Sequence, residues 1–184
     1  MTIFNCVTIY TVLILLLYQI NCHPQEMTEE INSIIREEFT NDAEIIFSKY
    51  RLLKNQKNEI ENKVKQKFHS DFVYLYKIKN NEKPIGYAIL DNVYGKSLPI
   101  TFLVLFDLKG NIKSSHIVKY REQYGGAVKN KNWNDQFVGR NSDSSFEVGK
   151  NINSISGATI SVNSVTKGIK KLTLLIKEII DLEQ

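Results

Sequence analysis

Cysteine is nearly absent from these 184 residues: the two that occur, Cys6 and Cys22, both fall within the first 22 positions. The rest of the chain therefore offers no disulfide, no thiolate nucleophile and no thiolate metal site, and its stability must come from packing. Histidine is almost as scarce. His23, His69 and His116 stand far apart, without ligand-like spacing or neighbouring acid pairs, which argues against a metal or haem centre. Basic residues are not clustered either. The net charge of +4 and pI near 8.9 come from lysines and arginines scattered among nearly as many acids, so there is no nucleic-acid footprint. A hydrophobic content of 42% with 24% charged residues is that of an ordinary globular protein, which sets aside disordered and collagen-like classes.

Charge is missing altogether from residues 1–21, whose apolar centre is the run 12–18. Three readings remain open for a leader over 1–23: a cleaved export signal, a retained membrane anchor, and a lipoprotein leader cut before Cys22. Each puts the remaining chain outside the cytoplasm. That remainder has room for one core, divided by pattern into an N-terminal helical segment over 24–70 and a principal domain over 71–184.

In the helical segment, Met27, Ile31, Ile34, Ile35 and Phe39 recur at helical spacing, and Ile60, Val64 and Phe68 do so over 55–68. Residues 43–50 are ambiguous. The period then changes to two, and 72–78, 85–93, 100–107 and 112–120 read as four strands. Their links are short and rich in turn residues, so neighbours are antiparallel. Residues 121–155 form a long polar segment containing the only tryptophan, Trp133. A closing helix over 162–179 presents Val162, Val165, Ile169, Leu172, Ile176 and Ile179 as one stripe. The predicted class is α+β: a four-stranded antiparallel sheet with N-terminal helices and a C-terminal helix packed on it.

Ser156-Gly157-Ala158-Thr159-Ile160-Ser161 stands immediately before that last helix. One reading is a helix-entry turn with Ser161 as the N-cap and Thr159 capping locally. The other is a phosphate site, because the first turn of a helix has unpaired N–H groups and the positive end of the peptide dipoles. Gly157 and Ala158 leave the Thr159 hydroxyl open to approach. An isolated threonine hydroxyl is a poor nucleophile, and no histidine is near it in sequence, so covalent modification there needs an external transferase.

The run resembles the flavinylation motif of the FMN-binding domain family, which includes the G subunit of the Rnf electron-transport complex and the C subunit of sodium-pumping NADH:quinone reductase. The resemblance spans 84–172. It takes in Asp107-Leu108-Lys109-Gly110-Asn111-Ile112, then Tyr120-Arg121-Glu122-Gln123-Tyr124-Gly125-Gly126, Trp133 and Gln136-Phe137-Val138-Gly139. It implies FMN as cofactor, held as a phosphoester on Thr159 and installed from FAD by a flavin transferase. Ser156, Gly157, Ala158 and Ser161 are then expected to contact the phosphate, and Glu122 the ribityl chain or ring. Gly125 and Gly126 would allow close backbone approach, and Trp133 and Phe137 would flank the flavin. The alternatives are a surface carboxylate paired with a lysine for Glu122, and packing of the long loop for the two aromatics. The sequence departs from the family pattern at Asn153, six positions before Thr159, where relatives often have aspartate.

The function so implied is an exported FMN carrier passing electrons between a membrane redox complex and an exported acceptor. One alternative is non-covalent FMN or a small ligand in a non-redox scaffold or sensor of an envelope complex. A flavin reductase ranks behind both, since no acid–base pair marks a substrate.

Overall fold

The computed structural model describes residues 22–183, so the expected leader over 1–23, Cys6 included, lies outside the described residues except for its last two positions. Among the described residues no helix is long and apolar enough to cross a membrane. The elements run α1 (Cys22–Glu38), β1 (Glu44–Arg51), α2 (Lys54–Val64), β2 (Phe72–Asn80), β3 (Lys83–Tyr94), β4 (Pro99–Phe106) and β5 (Ile112–Lys119). A single turn α3 (Lys131–Asn134) follows, flanked by 3₁₀ turns Gly126–Lys129 and Asp135–Phe137, and α4 (Thr159–Glu183) closes the chain.

The class is α+β with an antiparallel sheet, as predicted, but the sheet has five strands, not four, in the order β1-β2-β3-β4-β5. The additional strand is the ambiguous stretch after α1, paired from Glu44↔Lys79 to Arg51↔Phe72. It escapes sequence reading because it is an edge strand with a largely exposed surface, so its alternation of polar and apolar residues is weak. Helix α2 is also shorter than its apolar spacing predicts. Lys65 turns left-handed and the Glu61 carboxylate takes the Phe68 amide at 2.8 Å, which redirects the chain towards β2.

Strand pleating divides the core between two faces of the sheet. Leu103, Leu105, Ala88, Leu90 and Ile78 meet Ile31 and Ile35 of α1 on one side. Phe102, Val104, Phe106, Ile89 and Val93 meet the α4 stripe on the other, together with Ile60, Trp133 and Phe137. Lys171 of α4 is fully buried on this second face, its Nζ 2.9 Å from Asp91 Oδ2 and 4.1 Å from the Phe68 ring centre. It also donates to the Lys67 carbonyl at 3.2 Å, which ties the helix to both β3 and the turn after α2. At the other end of α4, Tyr87 donates to Glu183 at 2.9 Å.

Candidate functional site

Three segments meet where α4 begins. The first is the turn between β3 and β4, closed by the Gly95 amide donating to the Leu98 carbonyl at 3.0 Å. The second is the chain leaving β5. There Arg121 donates to the Pro99 carbonyl and to Thr101 Oγ1, each at 3.0 Å, and Glu122 Oε1 accepts from the amides of Ser97 at 2.5 Å and Leu98 at 2.8 Å. Those amide bonds hold the Glu122 carboxyl below its usual range, so it remains charged. The third segment is the entry to α4 itself.

At that entry Ala158 occupies the capping position, its carbonyl accepting from the Val162 amide at 2.9 Å. Alanine has no side-chain oxygen to offer the first turn. Among the described residues nothing accepts from the amides of Thr159, Ile160 or Ser161. The helix thus starts with three free donors, at Thr159 rather than at residue 162 as the apolar stripe suggested. Ser161 is not the cap. Its buried hydroxyl meets the Tyr120 hydroxyl at 2.8 Å, and Tyr120 donates in turn to the Tyr124 carbonyl.

The three segments enclose a cavity of about 260 Å³ lined by Lys96, Glu122, Tyr124, Gly125, Gly157, Ala158, Thr159, Ile160 and Ser161. Gly125 has φ +86°, and a Cβ there would lie 2.6 Å from the Tyr120 hydroxyl and 2.9 Å from that of Ser161. Thr159 is exposed. Tyr124 and Ile160 are also exposed, at 76% and 50%, so two large apolar side chains stand at the mouth. Volume alone does not select this place, since a cleft beside α1 and Phe47 reaches about 410 Å³. The free amides beside an accessible hydroxyl do.

Residues 95–173, from the β3–β4 turn to well inside α4, match the FMN-binding domain family. The chain carries an FMN-binding domain. FMN is the cofactor of that domain, and the matched segment contains every residue lining the cavity. No curated protein matches the chain. The donor set fits the phosphate end of FMN, since free helix amides and small residues are what a phosphate monoester needs for close approach. The cavity is somewhat smaller than the ~300 Å³ lower range of small-molecule pockets. Tyr124 and Ile160, both exposed, are the large side chains among the residues lining it.

Of the residues singled out from sequence, Thr159, Gly157, Ala158, Ser161, Glu122 and Gly125 line the FMN-binding domain's cavity. Ser156, Gly126, Trp133 and Phe137 do not. Trp133 is 6% exposed and meets Phe137 edge-on at 5.1 Å, while its indole donates to the Asn153 carbonyl at 2.8 Å. Asn153 is thereby held through its backbone, its amide also donating to Gln136 Oε1 at 2.7 Å. These contacts anchor the long loop that delivers Ser156 and Gly157 to the helix. Sequence reasoning passed over Lys96, Tyr124 and Ile160; the last two lay inside quoted motifs, and their large side chains beside glycines and serines were the available signal.

Proposed function

We propose that this protein is an extracytoplasmic electron carrier whose FMN is attached through its phosphate to Thr159. The observation that carries the reading is the uncapped start of α4, where three free amides and an exposed threonine line one cavity inside the family-matched segment. In the attachment reaction Thr159 Oγ forms a new bond to the FMN-side phosphorus of FAD. The pyrophosphate P–O bond breaks, AMP leaves, and a flavin transferase takes the hydroxyl proton. That enzyme is required because the described residues put no histidine or carboxylate in hydrogen-bond contact with Thr159. Bound FMN supplies reversible one- or two-electron transfer. The chain's own groups hold it: the amides of 159–161 take the phosphate, and Tyr124 and Ile160 receive the ring. The charge-free stretch 1–21 of the expected leader over 1–23 is the reason for placing the protein beyond the cytoplasmic membrane, where its partners are a membrane redox complex or an exported acceptor.

Asn153 favours a second reading, non-covalent FMN in a binding module, because relatives often have an acid at that position. Co-expression with a flavin transferase, followed by denaturation, separates the two. An FMN-sized mass increment is expected on the wild type and none on Thr159→Ala. Flavin held before denaturation and lost after it would overturn covalency and leave carriage. Flavin in neither state would overturn both readings.

A further inference from the structure

Glu122 was expected to reach the cofactor, yet its Oε1 is committed to the amides of Ser97 and Leu98. Those amides belong to the turn that carries Lys96, and Lys96 is the only lysine or arginine among the residues lining the Thr159 cavity. Its ammonium forms no ion pair among the described residues, whereas those of Lys57, Lys67, Lys131 and Lys150 each do. The clamp is close. A Cβ on Gly95 would lie 2.7 Å from Glu122 Oε1, so no side chain is accommodated at that position while the carboxylate is docked.

From this arrangement we propose that Lys96 is the counter-charge for the phosphate of the flavin nucleotide, and that Glu122 is the positioning residue that fixes the Lys96 turn at the cavity mouth. The inference rests on the reading that the start of α4 takes the FMN phosphate. Two electrostatic facts support it. The FMN phosphate, once esterified to Thr159, keeps one negative charge, and the helix amides alone supply only partial positive charge. Glu122 lines the same cavity, and its negative charge would repel that phosphate were it not spent on backbone donors and offset by Lys96. The ammonium acts as a point charge on a flexible stem, so it neutralises without demanding one geometry. Because Lys96 is exposed, the effect is screened by salt.

The test is a titration of the full chain, without transferase, with FMN and with riboflavin, which lacks the phosphate. The wild type is expected to prefer FMN, and Lys96→Gln to lose about five- to tenfold of that preference with riboflavin affinity unchanged. Lys96→Arg should restore it, and high salt should erase the difference between wild type and Lys96→Gln. Glu122→Ala should cause a similar loss, with no further loss in the double variant, because the two act through one contact. Thermal melts of each variant separate misfolding from lost recognition, and Lys96→Gln, on an exposed side chain, leaves the fold intact. An unchanged FMN-to-riboflavin ratio in Lys96→Gln overturns the counter-charge. A Glu122→Ala protein that keeps the ratio overturns the positioning role. If the wild type binds neither flavin, this inference falls, while attachment at Thr159 is judged separately by the mass increment on co-expression with a transferase; if it binds FMN while Lys96→Gln matches it, only this inference falls.

Discussion

Gly125 and Gly157 flank the same cavity and both adopt left-handed backbone, at φ +86° and +76°, yet their surroundings differ. A methyl group at Gly157 would meet nothing within 4 Å, while one at Gly125 would strike the Tyr120 and Ser161 hydroxyls. Gly157→Ala should therefore cost only the left-handed conformation, about 1 kcal/mol. Gly125→Ala adds a clash with a hydrogen-bonded pair and should cost about 2–3 kcal/mol, measured by chemical denaturation. Equal costs would mean that the Tyr120–Ser161 pair yields without penalty. At this scale the sequence was informative about small residues and poor about large ones. Glycines beside Thr159 and after Glu122 announced a close approach. Nothing in the spacing of Lys96 or Tyr124 announced that a turn between strands and a turn after β5 meet across the start of a helix, because hydrogen bonds that Glu122 accepts from the amides of Ser97 and Leu98 bring them there.

Helix α4 illustrates what an element reveals and hides. Its apolar stripe was legible over 162–179 because each member faces the sheet, and all of them are buried. Its true start was not. Serine at residue 161 is a strong local cap signal, but its hydroxyl is drawn away by Tyr120, and the helix extends back to Thr159 with Ala158 at the cap. Ala158→Ser restores a capping oxygen to the free amides. Without flavin, the variant should be more stable by about 1 kcal/mol. Its affinity for FMN should fall, because the added hydroxyl satisfies a donor that the phosphate would otherwise take. Parallel melts of flavin-free protein and FMN titrations check both arms; a gain in stability with unchanged FMN binding would show that these amides do not hold the phosphate. Strand β1 makes the complementary point. With one neighbour and most of its residues exposed, an edge strand leaves little periodic trace in its sequence.

Across the whole molecule, the sheet separates the cavity from the α1 layer, and ionisable groups on both sides respond to acid. His116 of β5 lies between Ser114 at 3.1 Å and Glu38 of α1 at 3.4 Å, and burial, partly offset by Glu38, sets its pKa below the usual 6.5. His69, next to the buried Lys171 and Asp91, is lowered too, chiefly by burial and then by the Lys171 charge. A histidine with a depressed folded pKa binds fewer protons in the native than in the unfolded state between the two values, so stability rises with pH across that window. The contribution is present above about 6.5 and is lost as pH falls from there to the folded pKa. Glu61 adds a second stage. Burial pushes its pKa up, but Lys67 and the Phe68 amide outweigh burial and leave it below 4.5, so its contribution holds above 4.5 and is lost as pH falls through the folded value. Denaturant midpoints should therefore decline below about pH 6.5 and again in the carboxylate range. His116→Gln should flatten the first decline in part, and the double variant with His69→Gln should flatten it further. A midpoint that rises between about pH 7 and pH 5, or an unchanged slope in the double variant, would show that neither histidine is held neutral by the fold.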